Sequence, residues 1–166
     1  VPLLISDANI FIDFEEAGLL EALFRLPETI GVPDLLFEDE LRERHEDLLD
    51  HGLALMELRA PAVKRVVELA KLYRKPSRLD LAALALAEQE GCPLLSGDRH
   101  LREAAEAERV DVHGTLWLAE RLVREKLVSL SELTRGYARM KDAGRRLPWD
   151  AVDQQLARLR AELRRQ

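Results

Sequence analysis

Two stretches decide the fold: Val1-Pro-Leu-Leu-Ile-Ser-Asp7 and Cys92-Pro-Leu-Leu-Ser-Gly-Asp98. Each is a short apolar run that ends at an aspartate and passes into a helical pattern. Continuous apolar runs of this length read as strands buried on both faces of a parallel sheet. In open α/β sheets, ligands sit outside the carboxyl ends of the strands. Two carboxylates delivered to that edge repel each other where water is scarce. Such a pair persists when a cation lies between them or when one of them holds a proton. The two runs therefore mark a candidate metal site.

On either side of these runs, strand and helix alternate. After Asp7 the pattern is helical, with Ile10, Phe11 and Phe14 on one face, and Gly18 breaks it. A short helix is expected over Leu19–Leu26, then a β-branched strand over Thr29–Val32. Asp34 can cap a helix running to Leu49, which stops near His51-Gly52. Leu53–Arg59 alternates as an edge strand. Pro61 opens a helix carrying Val63, Val66, Val67 and Leu69, which ends before Pro76. Leu79–Ala87 is apolar nearly all round, the mark of a helix buried in the centre. Gly91 ends it, and Cys92–Ser96 is the next strand. A helix over Leu101–Glu108 and a strand over Val110–Val112 follow. Three helices close the sequence: Leu116–Lys126, Ser131–Ala143 with Ser131 as cap, and Trp149 onward with Pro148 before it.

This alternation predicts a three-layer α/β/α sandwich on a mostly parallel sheet, plus a C-terminal helical extension. Residues 1–125 are expected to form the α/β domain, with 126–166 a basic extension packed on it. The 166 residues are enough for one domain with a substantial core. A single cysteine, Cys92, excludes a disulfide framework and a thiolate zinc cluster. The apolar stretches are far short of a membrane span and no cationic leader precedes one, so a soluble, cytoplasmic protein with no membrane partner is expected.

Net charge is −6, but its distribution says more. From Arg121 to Gln166 there are twelve Lys or Arg against six Asp or Glu, whereas the rest of the chain has thirteen against twenty-five. An acidic body with a basic tail fits a cation site beside a surface that meets anions. The plainer reading is that Arg-rich helices are simply well solvated.

Four acids fall where tertiary structure can gather them: Asp7 and Asp98 at strand ends, Asp80 at the start of the buried helix, and Glu40 on the helix after the second strand. Carboxylates without cysteine or paired histidine make an oxygen site suited to Mg²⁺ or Mn²⁺. Such an ion activates water and neutralises phosphate, which suits phosphodiester hydrolysis.

At these residues the chain resembles the PIN-domain nucleases, particularly those of the VapC toxin type or a closely related PIN-like subgroup. The matching pieces are Ile5-Ser-Asp-Ala-Asn-Ile-Phe-Ile-Asp13, Val32-Pro-Asp-Leu-Leu-Phe-Glu-Asp-Glu-Leu41, Leu79-Asp-Leu-Ala-Ala-Leu-Ala-Leu-Ala87 and Pro93-Leu-Leu-Ser-Gly-Asp-Arg99. Each is modest alone; their order, spacing and setting make the set specific, and the resemblance covers residues 2 to 125. It implies a Mg²⁺- or Mn²⁺-dependent ribonuclease. Asp7, Glu40, Asp80 and Asp98 would be its catalytic acids, with Asp7, Asp80 and Asp98 on the metal. Asn9 and Ser96 would be polar helpers. It also implies an RNA substrate, an antitoxin that plugs the acidic pocket, and a homodimer, for which the amphipathic C-terminal helices are candidate contacts. Two departures stand out. His100 replaces an acid frequent two residues after the Ser/Thr-Gly-Asp aspartate, which puts a second metal in doubt. The C-terminal extension, with Gly114-Thr-Leu-Trp117 and Arg145-Arg-Leu-Pro148, exceeds the minimal toxin.

Each acid also has a plainer role. Asp7 and Asp98 can cap the helices that follow them, and Asp80 can sit on a helix dipole. Glu40 can be a solvated helix acid, and Glu38 competes with it for the site. Asp13 is either a further pocket acid or an exposed carboxylate. His45, His51, His100 and His113 share no ligand spacing. Arg99 and Arg102 could touch phosphate, but pairing with Glu103 and Glu106 is the favoured expectation, and Trp117 and Trp149 are expected to pack the last helices. The alternative function is a PIN-shaped binding or scaffold module with vestigial acids. An aspartyl-nucleophile phosphatase is excluded, because Asn9 and Phe11 stand where an Asp-x-Asp-x-Thr motif needs Asp and Thr.

Overall fold

The computed structural model describes residues 2–166; Val1, where the first expected strand begins, lies outside them. Leu3–Ser6 (β1), Thr29–Pro33 (β2), Ala54–Met56 (β3), Leu94–Leu95 (β4) and Val112–His113 (β5) form one sheet in the order β3-β2-β1-β4-β5. Every pairing is parallel. The helices are α1 (Ala8–Ala17), α2 (Leu20–Leu23), α3 (Asp34–Leu36), α4 (Arg42–His45), α5 (Leu48–His51), α6 (Ala60–Leu72), α7 (Arg78–Glu90), α8 (Arg99–Ala107), α9 (Thr115–Arg124), α10 (Leu130–Asp142) and α11 (Trp149–Arg164). The expected α/β/α class is the class found, with the sheet parallel throughout.

Strand order explains where a ligand belongs. From β1 the chain builds β2 and β3 on one side, then β4 and β5 on the other. The order therefore reverses between β1 and β4, and such a switch point opens a crevice at the strand carboxyl ends. Ile5 pairs with Leu94 and Ser6 with Leu95, so the next residues, Asp7 and Ser96, leave the sheet side by side.

Contacts group the chain into two units, Val1–Ile10 with Pro27–Gly114 and Phe11–Leu26 with Thr115–Gln166. The sequence-based cut after residue 125 runs inside the second unit. In the first, α7 packs on β1, β2 and β4 and against α3, α6 and α8. All residues from Leu81 to Ala87 are buried, which accounts for their lack of a polar face; each buried leucine contributes roughly 1.5–3 kcal/mol. Gly91, at φ 63°, ends the helix in the left-handed conformation that glycine adopts without penalty.

In the second unit α9, α10 and α11 pack on one another and α2 on α9. Tyr137 donates to Gln155 at 2.6 Å, and Gln155 donates to the Leu116 carbonyl at 2.8 Å, tying the three long helices together. Asp13 is not the exposed carboxylate considered above. It is buried, accepting from Thr115 Oγ1 at 2.9 Å and Arg145 Nε at 2.7 Å. No helix among the described residues is long and apolar enough to cross a membrane.

Local departures from the expected elements have physical causes. The helix expected over 34–49 is broken into α3, a single π-helical turn at Phe37–Leu41, α4 and α5. In that turn the Arg42 N–H reaches back to the Phe37 carbonyl, while Phe37 and Leu41 both stay buried. The cap of α10 is Ser129, not Ser131: its hydroxyl accepts from Glu132 N and Glu132 answers on Ser129 N. A Ser-x-x-Glu capping box requires that spacing. The last strand is Val112–His113, shifted from the expected 110–112, because the Leu94 and Ser96 amides pair with the carbonyls of Asp111 and His113.

Candidate active site

Asp7 is 1% exposed. Its amide bonds the Leu95 carbonyl at 3.1 Å, which carries the β1–β4 pairing one residue past the strand. Its carboxylate accepts from Ser96 Oγ at 2.5 Å through Oδ2 and from Ile10 N at 3.3 Å through Oδ1. The cap expected for Asp7 is thus present, together with a hydroxyl partner on the neighbouring strand end.

Ser96, fully buried, joins two of the acids. Its hydroxyl donates to Asp7 and accepts from the Asp98 amide at 3.1 Å. Asp98 caps α8 through Oδ1, which accepts from Leu101 N at 2.8 Å. Asn9 has an exposed side chain in the first turn of α1.

Asp80 takes part in a capping box at the start of α7. Ser77 Oγ accepts from Asp80 N at 3.1 Å, and Asp80 Oδ2 accepts from Ser77 N at 3.3 Å. Burial raises the Asp80 carboxyl above its usual range; the bonds from Ser77 oppose this, and the negative charge of Asp98 adds to it. Burial likewise raises Glu40, helped by the charges of Asp80 and Asp39. Glu40 keeps an exposed side chain, so water screens part of that effect. Glu38 is engaged elsewhere: Arg42 holds it by two bonds of 2.6 and 2.7 Å, which lower its pKa. Of the two competing glutamates, Glu40 is the one whose carboxyl the Asp80 charge helps to raise.

The four acids therefore form a connected set: Glu40 feels Asp80, Asp80 feels Asp98, and Ser96 links Asp98 to Asp7. Their donors are all oxygen, the chemistry of a hard divalent cation. The caps of Asp80 and Asp98 each use one carboxylate oxygen. As they stand, no three His, Cys, Asp or Glu side chains among the described residues are arranged to hold one ion.

The flanking residues divide. Arg99 pairs with Glu103 at 3.0 Å as expected. His100 is exposed, with Nδ1 4.0 Å from Glu103. Arg102 does not pair with an acid; its Nη1 donates to the Ser96 carbonyl at 3.1 Å. Sequence reasoning missed that contact, because Glu106 one turn on offered a local partner. It also missed the Ser77 capping box, although Ser77-Arg-Leu-Asp80 carries its spacing.

The basic tail is more balanced than its count suggests. A groove of about 670 Å³ between α9 and α11 is lined by Trp117, Glu120, Arg121, Arg124 and Arg158. Glu120 holds both Arg124 and Arg158, at 3.0 and 2.6 Å, and Arg121 reaches Glu125 at 3.2 Å. Trp117 and Trp149 each carry a cation over the ring, Arg121 at 5.3 Å and Lys141 at 5.6 Å.

No curated protein matches the chain. The family model described as PIN domain matches residues 3–161, nearly the whole sequence. Together with the parallel sheet and the acids at its carboxyl edge, that match establishes that the chain belongs to the PIN-domain family.

Proposed function

We propose that this PIN domain is a Mg²⁺- or Mn²⁺-dependent endoribonuclease that hydrolyses RNA phosphodiester bonds with water. The observation that carries the reading is the connected set of carboxylates, Asp7, Glu40, Asp80 and Asp98, at the carboxyl edge beside the switch point. Burial raises the carboxyls of Glu40 and Asp80, and neighbouring acids add to the effect; a cation among them would favour the charged forms. Asp7, Asp80 and Asp98 would hold the ion, with Glu40 completing the acidic wall. When bound, such an ion activates water and neutralises phosphate charge.

The chain's own residues prepare the site. Ser96 fixes Asp7 and Asp98 relative to each other, so that little reorganisation is needed on binding. The Ser77 box fixes the backbone under Asp80. Asn9, on the exposed side of α1, is a polar helper for Asp7 or for water. Basic side chains of the C-terminal segment would hold the RNA backbone by a salt-sensitive, sequence-independent attraction. The biological setting that fits is a toxin of a toxin–antitoxin pair, or an orphan relative, acting in the cytoplasm as a homodimer and restrained by an antitoxin over the acidic pocket.

One observation favours a second reading. Asp98 caps α8 and Asp80 completes the Ser77 capping box of α7, so both have a structural reason to be present in a PIN-shaped binding module with no catalysis. Incubating the protein with a mixed single-stranded RNA pool, with Mn²⁺ and then with excess chelator, separates the two. Cleavage that stops with chelator supports the nuclease. Intact RNA under both conditions, with no Mn²⁺ bound, supports the module.

A further inference from the structure

Arg102 is a half-buried guanidinium that takes no carboxylate partner. Among the described residues it forms no ion pair, although Glu106 lies four residues on along α8, where such pairs form readily. It turns inward, and its Nη1 donates to the carbonyl of Ser96. Its seat depends on a glycine. A Cβ built on Gly114 would stand 2.6 Å from Arg102 Nη1 and 3.4 Å from the Ser96 carbonyl oxygen. Gly114 has no left-handed backbone conformation, so space for the guanidinium is what a side chain here would remove. The carbonyl that Arg102 holds belongs to the residue whose hydroxyl joins Asp7 to the Asp98 amide.

We propose that Arg102 is a positioning residue of the acidic site: seated over Gly114, it fixes Ser96 and thereby the relative placement of Asp7 and Asp98. Metal ligands are commonly oriented by such outer partners, whose loss weakens binding by about 10–100-fold. The consequence for metal binding rests on the nuclease reading above. The consequence for the backbone does not.

The test compares the wild type with Arg102→Gln, Arg102→Lys, Gly114→Ala and the Arg102→Gln/Gly114→Ala double variant. The first readout needs no metal: hydrogen exchange at the Asp98 amide, which is bonded to Ser96 Oγ, against the buried α7 amides as a control. Arg102→Gln and Gly114→Ala should each speed exchange at Asp98 by roughly tenfold, the scale of one lost hydrogen bond, with α7 unchanged. The double variant should be no faster than either single one, because both remove the same contact. Lysine, which keeps the charge and can still donate to the Ser96 carbonyl but lacks the planar guanidinium, should restore part of the protection. The second readout is Mn²⁺ affinity, which should fall about tenfold in both single variants. Unchanged exchange at Asp98, an equal rise in α7, or additive effects in the double variant would each overturn the proposal. A wild type that binds no Mn²⁺ would end the nuclease reading and leave the exchange comparison to decide the role of Arg102.

Discussion

Ser96 Oγ and Asp7 Oδ2 lie 2.5 Å apart, across the two strand ends where the sheet reverses its order. A buried carboxylate needs such a partner, since burying a charge without hydrogen bonds is strongly unfavourable. Ser96→Ala should therefore take a hydrogen-bond donor away from the Asp7 carboxylate and cost about 1–3 kcal/mol of stability, read from the urea midpoint. A midpoint equal to the wild type would show that the bond does not contribute.

Glu38 and Glu40 are two residues apart and should behave differently. Glu38→Gln removes only an exposed pair with Arg42 and should leave both stability and Mn²⁺ affinity unchanged. Glu40→Gln removes the charge beside Asp80 and should weaken Mn²⁺ binding severalfold, measured by calorimetry. The reverse ranking would assign the site glutamate to Glu38.

Proton linkage gives a signed expectation. Glu40 holds its proton to a higher pH in the folded chain than in the unfolded one, chiefly through burial and then through Asp80. In the window just above the ordinary glutamate range the native state binds more protons, so this group's contribution to stability is lost as pH rises. The stability of Glu40→Gln relative to the wild type should therefore increase with pH through that window and level off above it. Denaturation series at matched ionic strength would contradict this if the difference shrank or stayed flat.

Arg145 reaches the buried Asp13 at 2.7 Å in the second unit. Removing the partly exposed Arg145 leaves the buried Asp13 with fewer donors, its bond from Thr115 remaining, so Arg145→Ala should cost about 1–3 kcal/mol. Adding Asp13→Asn should recover part of the loss. A thermal midpoint unmoved by Arg145→Ala would make the pair incidental.

The parts of the fold legible in sequence were those written in strong local patterns. Leu4, Ile5, Leu94 and Leu95 are apolar because both sheet faces are covered, and Leu81–Ala87 because α7 is buried on all sides; neither pattern has a competing explanation. The order of the strands was not legible, because pairing between distant runs leaves no local pattern. Contacts between distant residues were less legible. Arg102 had Glu106 as an adequate local partner, and nothing in its neighbourhood signals that Gly114 leaves it a seat beside Ser96. The π-helical turn at Phe37–Leu41 was hidden because Phe37 and Leu41 also fit ordinary helical spacing. Asp13 looked like any first-helix carboxylate, since Arg145 lies far along the chain. The four acids were readable as candidates, with Glu40 favoured over Glu38 by motif alone; the Arg42 pairing that occupies Glu38 came only with the fold.

The most direct test of the metal-nuclease account is Mn²⁺ titration by calorimetry on the wild type and on Asp7→Asn, with both proteins then incubated with single-stranded RNA. The account predicts that the wild type binds Mn²⁺ and cleaves, and that Asp7→Asn, still folded, does neither. A wild type that takes up no Mn²⁺ and leaves the RNA intact would contradict it.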